Sequence, residues 1–161
     1  MRFRPALRFP RAAKVLLYGT LLLSLGTGVG WYVLNRWFQV EGDFGLEKHP
    51  WQPALLKLHG ASAFLALIGF GALLASHIPV GYRARRNRLF GVLLLSGLVL
   101  QILSGYTLYY APADWHEAVG SVHFWSGLSL PALLTVHVIL AHRGRKAHHQ
   151  SALISNAEEA C

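Results

Sequence analysis

The sequence predicts an all-α membrane protein, a four-transmembrane-helix up-and-down bundle, and three observations carry that expectation. Of 161 residues, 53% are hydrophobic and only 14% charged, whereas soluble domains carry roughly a quarter charged residues. The apolar residues gather into four long runs, each close to or above the ~20 residues a helix needs to cross the hydrocarbon core. The basic residues lie between these runs. That placement makes the formal charge of +8 a matter of membrane topology and excludes nucleic-acid binding.

Residues 1–14 form a basic leader, with Arg2, Arg4, Arg8, Arg11 and Lys14, read as cytoplasmic. The first span covers about 15–38. It starts like a signal peptide, but its apolar part continues through Trp31, Tyr32, Val33 and Leu34 without a small-residue cleavage site, so it is read as a retained helix. The second span covers about 53–79. Pro53 suits a first helical position, and Pro79 is expected to end the helix because proline offers no N–H to the ladder. The third covers about 89–111, stopping at Pro112. The fourth covers about 115–143, with Asp114 as its cap and Glu117 as capping-box partner. Residues 15–143 thus make one transmembrane domain with short loops. The polar, small-residue-rich tail within 144–161 is expected to be flexible. No internal repeat is apparent beyond the two histidine-bearing spans.

Lys and Arg fix the orientation. The leader, the loop with Arg83, Arg85, Arg86 and Arg88, and the tail with Arg143, Arg145 and Lys146 hold twelve basic residues, against Arg36, Lys48 and Lys57 on the other side. Both termini are therefore expected in the cytoplasm. Five tryptophans, with Tyr109 and Tyr110, gather towards the outer ends and fit an interfacial belt. In a bacterium this describes a multi-pass protein of the inner membrane, with its outer loops in the periplasm.

The chemistry resides in His59, His77, His123 and His137. Ionisable side chains are costly in a bilayer, and their presence there points to function. The 18 residues from His59 to His77 return to the same azimuth, and the 14 from His123 to His137 fall about 40° short of it. Each pair therefore shares one helix face, with separations of roughly 27 Å and 21 Å along the axis. Counted from the helix starts, His59 pairs in depth with His123, and His77 with His137. Two imidazoles on opposite sides of a haem iron leave no open coordination position, which suits electron transfer. The expectation is two non-covalent haem b groups, one towards each face. The absence of a C-x-x-C-H motif removes covalent attachment, and Cys161, the one cysteine, has no partner within the chain for a disulfide or thiolate cage.

Other residues are secondary candidates. Arg36 and Lys57 lie at the outer level, where haem propionates need cations. His116, about 20° from His123 in azimuth, is an alternative outer ligand or a propionate neighbour. His142 is an alternative inner ligand, about 100° away in azimuth. His49, His148 and His149 fall in loop or tail. Glycines along all four spans make room for helix packing or a flat macrocycle, and Gln101 is read as an interhelical hydrogen-bonding residue in preference to a quinone ligand. No Asp or Glu lies within the spans, which disfavours divalent-metal transport and a proton relay.

His59-Gly60 with His77, followed by Trp115-His116-Glu117, Gly120, His123, Gly127, His137 and Arg143, resembles the small four-helix di-haem cytochrome b subunits of bacteria. These are similar to the membrane anchors of formate dehydrogenases and nickel-iron hydrogenases. The resemblance covers about residues 15–143. It implies electron transfer between a quinone pool and a periplasmic redox subunit or c-type cytochrome, in a subunit that is not a complete enzyme by itself. Many members take a ligand from the first helix, which here has no histidine, so the chain resembles the sub-group with all four ligands on the second and fourth helices. The segment from Gln39 to Gln52 is the expected docking surface for the partner. The alternative is a haem-free membrane anchor or assembly subunit of a redox complex.

Overall fold

The computed structural model describes residues 10–43, 45–83 and 87–159, with side chains as far as Gly144. Arg2, Arg4, Arg8, Arg85, Arg86 and Cys161 lie outside the described residues, as do the side chains of Arg145, Lys146, His148 and His149. The fold class is the expected one: an all-α protein in which, among the described residues, four helices are long and apolar enough to cross a membrane. The chain divides into two compact units, Met1–Pro79 and Val80–Cys161.

The first unit contains α1 (Arg11–Trp37), a hairpin of β1 (Val40–Gly42) and β2 (Gly45–Glu47), and the greater part of α2 (Gln52–Arg83). Helices α1 and α2 run antiparallel. A Cβ on Gly69 would meet Leu17, one on Gly28 would meet His59, and one on Gly30 would meet Leu55. The hairpin, absent from the sequence-based expectation, pairs Val40 with Glu47, Glu41 with Leu46 and Gly42 with Gly45. Gly45 has φ +121°, a conformation that only glycine adopts cheaply, and this lets the chain reverse.

The second unit is a helical hairpin of α3 (Arg88–Tyr110) and α4 (Ala113–Glu159). Its antiparallel register sets Gly91 against His137, Gly97 against Leu130, and Gly105 against His123. Asn87, just before α3, is left-handed at φ 51°, which Asn tolerates better than most residues. The turn is also tied by Arg88, whose Nε donates to the Tyr82 carbonyl at 2.9 Å while its guanidinium stacks 4.4 Å from the Tyr82 ring centroid. This bond satisfies a carbonyl near the end of α2.

Three helix boundaries differ from expectation. Pro79 lies inside α2, which continues to Arg83. Proline costs the helix one bond, because it has no N–H to give the Ala75 carbonyl, and some bending, a cost that membrane helices commonly absorb. Helix α4 begins at Ala113, with the Trp115 N–H bonded to the Pro112 carbonyl at 3.0 Å. Asp114 is thus a first-turn residue and not the cap, and there its charge complements the helix dipole. Finally, α4 continues to Glu159, where a flexible tail is expected. The Ala, Leu, Gln and Glu residues of that stretch are strong helix formers, and propensity prevails over low apolarity.

Burial is inverted relative to a soluble protein. Among the described residues no hydrophobic side chain is buried, and the buried residues are Thr20, Thr27, Gln52, Ser62 and Ser104. Small hydroxyl residues let helices approach closely while apolar side chains face outward to lipid. Four of the five close on their own helix: Thr20 on Leu17, Thr27 on Leu23, Ser62 on His59, and Ser104 on Gln101. Such back-bonding hides a hydroxyl without a partner from elsewhere.

Candidate functional site

His59 and His77 belong to the first unit and His123 and His137 to the second, so each expected ligand pair takes one residue from each unit. His59, His123 and His137 are half-buried, and His77 is exposed. The three half-buried rings are each held by the neighbouring helix of their own unit or by its leading residue.

His59 lies against α1, with Nδ1 2.9 Å from the Ser24 carbonyl and 3.3 Å from Thr27 Oγ1. A carbonyl only accepts, so Nδ1 carries the proton and the ring lone pair is on Nε2. Thr27 spends its own proton on the Leu23 carbonyl at 2.7 Å and meets the imidazole with a lone pair. Gly28 makes this approach possible: a Cβ there would stand 3.0 Å from His59 Cε1 and 3.2 Å from Nδ1.

His123 is held the same way against α3. Its Nδ1 lies 2.9 Å from Ser104 Oγ, which in turn bonds the Gln101 carbonyl at 3.3 Å. The Gln101 amide donates to His123 Nε2 at 3.1 Å and to the His123 carbonyl at 3.1 Å. Because the amide donates at Nε2, the neutral ring is again protonated on Nδ1. Ser126 Oγ holds the other end of the amide, donating to Gln101 Oε1 at 2.8 Å. Gly127 provides the notch, since a Cβ there would lie 2.7 Å from Gln101 Nε2. Gly105 faces the ring, with a would-be Cβ 3.2 Å from His123 Cε1.

These two arrangements share one pattern that the sequence reading missed. Ser24, Thr27 and Gly28 on α1 have the same spacing as Gln101, Ser104 and Gly105 on α3. On the second helix of each unit, the histidine is followed three residues later by a serine whose hydroxyl returns to the histidine carbonyl: Ser62 at 2.9 Å and Ser126 at 3.3 Å. The expectation of no repeat beyond the histidine helices is therefore corrected. The repeat includes the helix preceding each histidine helix, and the signal was a polar residue, a hydroxyl and a glycine at fixed offsets.

His137 differs. Asn87 Nδ2 donates to the His137 carbonyl at 2.9 Å and approaches its Nδ1 at 3.3 Å. The carbonyl contact fixes which end of the amide faces the histidine, so Nδ1 is the acceptor and the neutral ring carries its proton on Nε2. Gly91 faces this ring, a Cβ there lying 3.5 Å from Cε1. Asn87, like the serines and Thr27 above, is a residue that the sequence reading did not single out.

The secondary candidates separate clearly. His116 and His142 are exposed and donate Nδ1–H to carbonyls of their own helix, Pro112 at 3.0 Å and Val138 at 2.8 Å. Arg36 and Lys57 are exposed. Lys57 precedes His59 by two residues and leaves α2 about 200° away from it. Gln101 bridges α3 and α4, as expected. Among the described residues no three or more His, Cys, Asp or Glu side chains converge to hold a metal ion; an axial haem pair asks only for one imidazole on each side of the ring. In unit two, an apolar groove of about 390 Å³ runs along Leu103, Ser104, Thr107, Trp115 and Val122. Compared with models of protein families, with curated proteins and with solved structures, the chain has no match.

Proposed function

We propose that this chain is a di-haem b-type cytochrome subunit of a bacterial inner membrane. In this reading it carries electrons between a quinone pool and a periplasmic redox subunit or c-type cytochrome, with both termini in the cytoplasm. His59 and His123 are the axial ligands of the outer haem, and His77 and His137 those of the inner one. The observation that carries the proposal is the repeated cradle: two imidazoles, each with Nδ1–H given to the neighbouring helix, each seated on a glycine, each with its ring lone pair on Nε2. An outer hydrogen bond that fixes tautomer and ring orientation is the usual support of a ligating histidine.

Bound haem supplies one-electron chemistry at an iron without an open coordination position. The protein holds the rings, fixes their tautomers and excludes water with its apolar helices. His59 carries its ring lone pair on Nε2, the nitrogen this role uses. His123 fits once the Gln101 amide yields its place at Nε2. His137 in the tautomer seen here presents N–H at Nε2, so inner ligation through that atom requires the Asn87 contact to Nδ1 to reverse or open. The exposed hairpin, with Glu41, Glu47 and Leu46, supports the docking role assigned to Gln39–Gln52.

The inner contact favours the second reading, a haem-free anchor or assembly subunit in which histidines only join helices. A dithionite-reduced minus oxidised spectrum of the purified chain, with haem quantified as its pyridine complex, separates them. About two haems per chain with b-type bands are expected. A folded preparation that takes up none refutes the cytochrome reading and leaves the anchor.

A further inference from the structure

Gln52 opens α2 and is 2% exposed, yet neither its Nε2 nor its Oε1 has a hydrogen-bond partner among the described residues. The four other buried polar side chains all close on their own helix, so Gln52 is the exception. An amide buried without partners costs free energy comparable to lost hydrogen bonds and calls for an explanation.

Its position supplies one. Gln52 precedes His59 by seven residues, so it leaves α2 about 20° from the azimuth of His59 and about 10.5 Å nearer the helix start. That rise is comparable with the reach from the centre of a haem to a carboxylate at its edge. The first turn of α2 contains no acidic residue, leaving the partial positive charge of the helix end uncompensated and favourable to an anion.

We propose that Gln52 binds a propionate carboxylate of the haem that His59 ligates. Nε2–H donates to a carboxylate oxygen, and a water held on the same carboxylate donates to Oε1, satisfying both amide atoms. The inference rests on the di-haem reading. The other residues considered for this role fit it less well. Lys57 leaves the opposite side of α2, and His116, the counterpart of Gln52 seven residues before His123, donates Nδ1–H to the Pro112 carbonyl. Its Nε2 is then an acceptor and offers nothing to a carboxylate.

The test is equilibrium titration of the purified, haem-depleted full chain in detergent with hemin and with hemin dimethyl ester, whose propionates are esterified. A His137→Ala background restricts loading to the outer site. The parent is expected to prefer hemin over the ester by roughly tenfold, the size of a hydrogen bond to a charged group. Gln52→Leu is expected to bind both alike and, with the orphan amide gone, to melt at a higher temperature when haem-free. Gln52→Met, with the same expectation, serves should the leucine variant fold poorly. Undiminished preference for hemin in a folded Gln52 variant overturns this inference and leaves the di-haem reading intact. Absence of binding by the folded parent overturns the di-haem reading, and the inference with it.

Discussion

Gly28→Ala tests the cradle where a glycine comes nearest to an imidazole. The new methyl would stand 3.0 Å from His59 Cε1 and 3.2 Å from Nδ1, against about 3.5–4.0 Å for a favourable carbon contact. Relief requires the ring to retreat from α1 by about half an ångström. The bond to the Ser24 carbonyl, now 2.9 Å, would then stretch to about 3.4 Å, beyond good N–H···O geometry. Losing that bond costs about 1 kcal/mol, and crowding a packed contact adds about 1–2 kcal/mol. Gly26 is the internal control: one residue before Thr27 on the same helix, it has open space around its would-be Cβ, so Gly26→Ala is expected to be neutral or stabilising by up to about 1 kcal/mol. Unfolding of the two variants in mixed detergent micelles, with hemin titration in parallel, should separate them by about 2–3 kcal/mol in stability and lower the haem affinity of Gly28→Ala alone. Equal stabilities and equal affinities would refute the claim that Gly28 exists to seat the imidazole.

Four further outcomes follow from the contacts around the histidines. Ser104→Ala removes the 2.9 Å bond to His123 Nδ1 and should cost about 1 kcal/mol in the same unfolding assay. Thr27→Val removes the 3.3 Å contact to His59 Nδ1 together with the hydroxyl's back-bond to the Leu23 carbonyl, but leaves the shorter Ser24 bond to the ring in place, and should cost measurably less. Gln101→Leu deletes the amide bridge from α3 to α4 and removes the amide from His123 Nε2. It is expected to lose about 1–2 kcal/mol of stability yet bind hemin several-fold more tightly, and weaker binding would show that Gln101 positions the ring. Asn87→Gly keeps the φ 51° turn accessible and releases His137 Nδ1, so the pyridine-complex assay should show inner-haem occupancy equal to or above that of the parent. A fall in occupancy would make Asn87 a support of the ligand.

The four spans were legible in the sequence because a bilayer imposes its requirement locally: a helix must be apolar over about 20 residues whatever its neighbours do. The histidines stood out for the same reason, as ionisable groups in apolar runs. Helix ends were harder to read. Pro79 reads as a stop, yet α2 continues through it to Arg83. The stretch after Gly144 reads as loose, yet its residues favour helix. What surrounds each imidazole could not be read at all from one segment. Ser24, Thr27 and Gly28 precede His59 by 31–35 residues, and Gln101, Ser104 and Gly105 precede His123 by 18–22. Nothing local says that the two triplets are equivalent.

The sequence by itself thus determined that the chain lies in a membrane, where its helices run and which side chains are too costly to be there without a purpose. Only the tertiary structure decided which nitrogen of His59, His123 and His137 carries the proton, that Gln101 covers His123 Nε2, and that Gln52 is buried with its amide unmet among the described residues. The physical reason is range. Hydropathy and helix propensity act over a few turns of one segment, whereas a hydrogen bond to an imidazole depends on the antiparallel register of two helices, set by how glycines and hydroxyls let their backbones approach.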